Sequence, residues 1–301
     1  MFFHGENSCQ AIKSDGQPCT NKSYYIVGQK LLCGIHSKNQ PREELPKNPD
    51  RNANNDLKLQ QERTIIEKTA LDNRSFQRRG FVICSRMRMM KPVEDVPGYL
   101  KVFPNYKHQN RKDGYGCARL SPKSLGPVHH GQPGLPPALN LENFHQGNKV
   151  FPFEISASRS ILPQFYTTRQ SMYQDPVPHR HKHGVTTINS SQSKVNIPLF
   201  SVWILQNGTE KHLSYFESRQ LYCNFYERLV INEPDYQRLL QYLFEGYNLQ
   251  ICGYDAYEVS KSIEECYCDT SRPFGHELVL YTMLTHPSEM YPWRKYKTLE
   301  F

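Results

Sequence analysis

Phe200-Ser201-Val202-Trp203-Ile204-Leu205 is followed by Gln206-Asn207-Gly208-Thr209 and then by Lys211-His212-Leu213-Ser214-Tyr215-Phe216, and this stretch decides the fold class. Two runs rich in β-branched and aromatic residues, joined through Asn-Gly, predict a β-hairpin, because Asn and Gly accept the positive φ that a tight turn requires. Directly after it, Phe216 to Val230 reads as a helix, as does Asp235 to Phe244, and Gly246 stands where a helix-terminating glycine belongs. With further short strands upstream at Phe81-Val82-Ile83-Cys84 and Leu100-Lys101-Val102-Phe103, the pattern is that of an α+β domain.

Outward from the hairpin, the run Leu139-Asn140-Leu141-Glu142-Asn143-Phe144-His145-Gln146-Gly147-Asn148-Lys149-Val150-Phe151 predicts a helix. Glu142, Gln146 and Lys149 follow one another at i, i+4 and i+7, so a carboxylate, an amide and an amine would share one face. The same pattern is also that of an ordinary solvated helix face. Between residues 104 and 140 the chain is dense in Gly, Pro, Asn and His, and loops of that length in a compact domain tend to carry function. Lys107, His108, Arg111 and Lys112 precede Gly114-Tyr115-Gly116, an arrangement that suits either a phosphate cradle or a plain solvated charge run. No Walker or Rossmann glycine pattern is present.

Three segments carry a family likeness. Gly116-Cys117-Ala118-Arg119-Leu120-Ser121-Pro122-Lys123-Ser124-Leu125-Gly126-Pro127-Val128 precedes the Glu-x-x-x-Gln-x-x-Lys of Glu142, Gln146 and Lys149. Further on come Asn248-Leu249-Gln250-Ile251-Cys252-Gly253-Tyr254-Asp255-Ala256-Tyr257 and Phe274-Gly275-His276-Glu277-Leu278-Val279-Leu280-Tyr281-Thr282-Met283-Leu284. This order resembles the YbiA/NADAR superfamily across residues 100 to 290, in the form seen in uncharacterised proteins of large DNA viruses and phages. Pro122 stands where the family loop usually has Asn, and Glu258-Val259 where it has Trp-Gly.

The resemblance implies a mainly helical domain with short strands and a hairpin, and a hydrolase that cleaves N-glycosidic bonds of ADP-ribosyl or phosphoribosyl-type ligands. Breaking such a bond builds positive charge on the sugar and requires an acid near the leaving nitrogen. Glu142 and Asp255 are the carboxylates that this assigns. Lys149 is either a nucleophile forming a Schiff base with the opened sugar or a cation holding phosphate, and Gln146 orients the ligand through its amide. Ser121 and Tyr257 join the ligand-binding set through the loop and the late segment. Arg180, in Pro178-His179-Arg180-His181-Lys182-His183, and Arg219 are candidates for anionic groups. The alternating His179, His181 and His183 suit phosphate contact or solubility better than a metal, for want of a nearby carboxylate or cysteine cluster with ligand spacing. Tyr222 reads as core, and Cys266 and Cys268 as free thiols.

At the N-terminus, Cys9, Cys19, Cys33 and His36 give the spacing Cys-x9-Cys-x13-Cys-x2-His. Four soft or borderline ligands in a segment too small for a hydrophobic core predict a structural zinc module over residues 1–40, with no organic cofactor. Residues 41–78 are expected to form a polar linker with a helix from Leu57 to about Leu71, and residues 79–301 the main domain.

The 301 residues, 38% hydrophobic and 12% aromatic, suit a folded protein, and the net charge of +8 leans toward phosphate-bearing ligands, nucleic acid included. Nine scattered cysteines argue against a secreted disulfide framework, and Met1-Phe2-Phe3-His4-Gly5-Glu6 lacks the pattern of a signal peptide. No apolar run is long enough for a membrane span, so an intracellular place, cytoplasmic or nuclear, is the expectation. Two other classes stay open: a non-catalytic protein that binds nucleic acid or ADP-ribose, and a virion-associated protein.

Overall fold

The computed structural model describes residues 2–46, 48–89, 91–179, 181 and 197–296. Arg180 and His183, singled out above, lie outside them. The chain divides into two compact units, residues 1–64 and residues 65–301. In chain order the elements are β1 (Tyr25–Val27), β2 (Lys30–Leu32), β3 (Glu43–Glu44), α1 (Pro49–Ser75), β4 (Val82–Arg86), β5 (Tyr99–Phe103), β6 (Tyr115–Gly116), α2 (Leu141–Gly147) and β7 (Lys149–Val150). They continue with α3 (Pro163–Gln174), β8 (Phe200–Ile204), β9 (Glu210–Leu213), α4 (Tyr215–Val230), α5 (Pro234–Phe244), β10 (Asn248–Gly253), α6 (Ile263–Cys268), α7 (His276–Thr285) and α8 (Pro292–Lys295). Helices and sheets together make this an α+β protein. Among the described residues no helix is long and apolar enough to cross a membrane.

In the first unit, β1 pairs antiparallel with both β2 and β3. The stretch expected to be a polar linker contains β3 and the start of α1, which begins well before Leu57. The sequence from Leu57 to Arg63 is made of good helix formers, reinforced by an i,i+4 pair between Lys58 and Glu62, so the helix has little reason to stop short.

The second unit holds two sheets. One is wholly parallel, in the order β4-β10-β5-β6. β10 is buried along its whole length, as a central strand of a parallel sheet should be. The amide nitrogen of its one long polar side chain, Gln250, is satisfied inside, donating to Ser85 Oγ at 2.9 Å and to the Glu94 carbonyl at 2.9 Å, while Oε1 is buried without a partner. The other sheet is antiparallel, β7-β8-β9, and its β8–β9 pair is the hairpin with Asn207 and Gly208 at the bend.

α4 is the hub of the core. Its capping box is complete, with Ser214 and Glu217 each accepting from the other's backbone N–H. It packs against α2, α7, α8, β8 and β9, while α7 covers β4 and β10. Ahead of β10, Gly246 sits at φ +87 after α5, and an added methyl there would come within 2.6 Å of the Ala70 carbonyl, so glycine is needed for both turn and fit.

The helix predicted to carry Glu142, Gln146 and Lys149 is shorter than its spacing suggested. α2 ends at Gly147, and Lys149 belongs to β7, paired with Ser201 of β8. Gly147 abuts the Tyr173 ring, Asn148 bonds back to the Phe144 carbonyl at 2.7 Å, and Tyr173 donates to Asn148 at 2.9 Å. These contacts fix the turn, and the ladder with β8 then claims the backbone that a further helical turn would need.

Candidate functional site

In the first unit, isolated bridges pair Ser8 with Lys22 and Ile12 with Pro18, which makes residues 8–22 a narrow antiparallel loop. In that register Cys9 and Cys19 fall on one side, and this accounts for the unusual nine-residue gap between them. β2 then delivers Cys33, and a turn anchored by Ser37 N–H on the Cys33 carbonyl, 3.0 Å, returns His36 to the same place. The ligand atoms of Cys9, Cys19, Cys33 and His36 all lie within 4.8 Å of one another, and His36 Nδ1 is 3.4 Å from both Cys9 Sγ and Cys33 Sγ. The three cysteines are buried. This cluster could hold a metal ion. Burial pushes the Cys33 thiol up, but the backbone N–H groups of His36 and Ile35, together with the Asn21 amide, bring it down to about 6. That favours the thiolate that a metal requires.

The second unit gathers a different constellation. Asn140 caps α2 by accepting from Asn143 N–H at 2.8 Å, which aims the first turn so that Gln146 Nε2 donates to Glu142 Oε1 at 3.2 Å. The His145 ring lies 4.8 Å from the ring of Tyr222 on α4. Burial, and then the cation of Lys149, hold the His145 pKa well below its ordinary value. Burial, and then Tyr226, Glu142 and Glu277, push the Tyr222 hydroxyl well above its own. Lys149 is therefore within electrostatic reach of His145, and Tyr222 within reach of both Glu142 and Glu277, although Lys149 is not on the helix. Asp255, exposed on the loop after β10, packs beside Gly275, whose other neighbour is Glu277.

Glu277, His276 and Tyr222 were not singled out as site residues from the sequence. The available signal was a lone carboxylate in the otherwise apolar run of α7, where a buried charge calls for a reason.

Other expected ligand residues have internal occupations. Arg219 on α4 is buried, and its guanidinium donates to the carbonyls of Tyr267, Asp269 and Arg272 and to Tyr215 Oη. It staples the 267–272 segment rather than facing an anionic ligand. Replacing it in Arg219→Ala leaves those carbonyls unpaired, so about 3 kcal/mol of stability should be lost, read from urea unfolding. Ser121 is buried in a tight turn, its hydroxyl 3.4 Å from Lys123 N–H. The Tyr257 hydroxyl is buried without a hydrogen-bond partner, and the Arg272 guanidinium lies over its ring. His181 is held by the Gln146 carbonyl at 3.1 Å and by Glu154 at 2.7 Å, and His179 by Asn143 through its backbone N–H. Cys266 and Cys268 carry free thiols.

In the basic loop, Arg111 forms a fork with Asp113 and lies over the Phe103 ring. Gly114 and Gly116 pass so close to the backbone of Lys101 and Gln109 that an added methyl would lie 2.4 Å and 2.2 Å from those carbonyl oxygens, so both positions need glycine.

The buried neutral histidines set a pH dependence. His145 and His130 both have pKa values lowered first by burial, so below about pH 6.5 the unfolded chain binds more protons than the folded one. Stability should fall on acidification from that point, by up to about 1.4 kcal/mol per pH unit for each histidine. Urea midpoints at pH 5.5 and 7.5 would measure the drop, and His145→Phe should lessen it.

Comparison with protein-family models, with curated proteins and with solved structures gave no match.

Proposed function

We propose that the chain is an N-glycosidase of the YbiA/NADAR type, hydrolysing the bond between a ribose anomeric carbon and a base or amine nitrogen in an ADP-ribosyl or phosphoribosyl ligand, with a structural zinc module at its N-terminus. The observation that carries the reading is the Glu142–Gln146 hydrogen bond on α2, with the intervening His145 ring 4.8 Å from that of Tyr222; the charges of Glu142 and Glu277 add to the rise of the Tyr222 pKa, and that of Lys149 to the fall of the His145 pKa. A carboxylate at a developing oxocarbenium stabilises it, and a cation beside it suits the phosphate of such a ligand. Glu142 is the charge-stabilising carboxylate, Gln146 orients both Glu142 and the ligand, and Lys149 binds phosphate or forms a Schiff base.

The zinc reading rests on the ligand set. A tetrahedral zinc with bonds of about 2.3 Å to sulfur and about 2.0 Å to nitrogen separates its ligand atoms by roughly 3.5–3.8 Å. The sulfur-to-nitrogen separations of 3.4 Å are close to that. Four protein ligands close the coordination sphere, so the metal would hold the fold and take no part in the hydrolysis.

The purified protein, incubated with NAD, with ADP-ribose derivatives and with an oligonucleotide carrying ADP-ribosylated guanine, is expected to release base or sugar detectable by mass spectrometry. Tight retention of these probes without any release would replace the enzyme with a binding protein.

A further inference from the structure

α7 begins His276-Glu277-Leu278-Val279-Leu280, and Glu277 is its only carboxylate. The side chain is 1% exposed. Burying an ionised carboxylate is costly unless a charge or a hydrogen bond compensates it. Here the compensation is incomplete: Oε2 has no hydrogen-bond partner, and the His276 ring nitrogen Nδ1 lies 3.2 Å from it. His276 is itself fixed, its Nε2 3.0 Å from the Pro104 carbonyl, and since a carbonyl only accepts, Nε2 carries a proton.

The main chain makes room for this carboxylate on two sides. A methyl group on Gly253, at the end of β10, would lie 2.1 Å from Glu277 Oε1, and one on Gly275 would lie 2.9 Å from Oε2. The titratable groups around it come from every packed element: Cys84 on β4, Tyr222 and Tyr226 on α4, and Asp255 after β10. Cys84, Tyr222 and Tyr226 all have pKa values raised first by burial, which favours their neutral forms.

We propose that Glu277 is the proton-transferring residue of this site, with Oε2 as the reacting atom, His276 as its positioning partner, and Asp255 confined to ligand contact at the exposed rim. The proposal rests on the N-glycosidase reading. In the step, a water oxygen bonds to the anomeric carbon and gives one proton to Glu277 Oε2. The bond from that carbon to nitrogen breaks with its electron pair going to nitrogen. Glu277 then passes the proton to the departing nitrogen and returns to the carboxylate, so the sum is addition of one water across the bond.

The test uses the full chain and the oligonucleotide carrying ADP-ribosylated guanine, comparing the wild type with Glu277→Gln, Asp255→Asn and His276→Gln. In Glu277→Gln, kcat should fall by about 10²–10⁴-fold and the acidic limb of its pH profile should vanish. Asp255→Asn should change KM and keep both kcat and that limb, and His276→Gln should displace the limb. Should Glu277→Gln fail to fold, Glu277→Asp keeps the carboxylate and should retain the limb at reduced kcat. Full kcat with an unaltered profile in Glu277→Gln, or loss of the limb in Asp255→Asn instead, overturns the assignment while the glycosidase reading stands. A wild type that releases nothing from any probe overturns the glycosidase reading, and the proton-transfer role falls with it.

Discussion

Stripping the proposed zinc from the N-terminal unit with a strong chelator is expected to unfold that unit and leave the second one folded. Its apolar core is little more than Leu31, Leu32 and Leu45 beside the three cysteines, too few side chains to offset the chain entropy of sixty-odd ordered residues. Structural zinc in small modules supplies on the order of 10–16 kcal/mol of apparent folding free energy at neutral pH, more than such a core provides. Backbone amide NMR of the full chain should show resonances of residues 8–45 collapsing to unfolded positions after chelation and returning with added zinc. Cys33→Ser should behave as the chelated protein does. Metal analysis that finds no zinc, with those amides dispersed as in a folded protein, would defeat the prediction.

The second large effect concerns Glu142. Glu142→Ala removes the acceptor that orients Gln146 Nε2 and, in the proposed hydrolysis, the carboxylate beside the developing sugar cation. An electrostatic group of this kind is worth about 10²–10³ in kcat, roughly 3–4 kcal/mol of transition-state stabilisation. Folding should be little affected, because Glu142 is only half-buried and lies in the first turn of a capped helix. Glu142→Ala is expected to lose turnover and keep its melting temperature within a few degrees. Lys149→Ala separates the two roles of the amine: a rise in KM alone marks phosphate binding, whereas lost turnover together with borohydride trapping of ligand on the wild type marks a Schiff base. Unchanged kcat in both variants would remove these residues from the mechanism.

Much of this architecture is legible in the sequence wherever a local rule is decisive. Asn207-Gly208 between two β-prone runs gives the hairpin, Gly246 ends α5, and the Cys-x2-His pair with two further cysteines gives the cluster that could hold a metal ion. What escapes are the features fixed by distant partners. Lys149 has helical spacing from Glu142 but is taken by the ladder with Ser201, which no pattern within α2 reveals. β10 contains Asn248 and Gln250, so it does not look like the centre of a parallel sheet until Ser85 and Glu94 appear as partners for Gln250. Arg219 resembles an anion ligand only while the carbonyls it binds, some fifty positions onward, remain out of sight. Glu277 is hidden because an acidic residue in the first helical turn is ordinary, and only its burial between Gly253 and Gly275 makes it exceptional.

The strand order β4-β10-β5-β6 bears on how the chain acquires its structure during synthesis. Leu249 and Ile251 sit between strands made long before them, so a chain leaving the ribosome carries β4 and β5 with a vacant slot until β10 emerges. Non-local parallel pairing of this kind is slow to form, and unfilled strand edges invite association with other chains. Nascent chains stopped before residue 248 should therefore need chaperone protection that the finished protein does not, whereas the small N-terminal unit, whose described strand pairings are short-range, is free to fold as soon as it emerges.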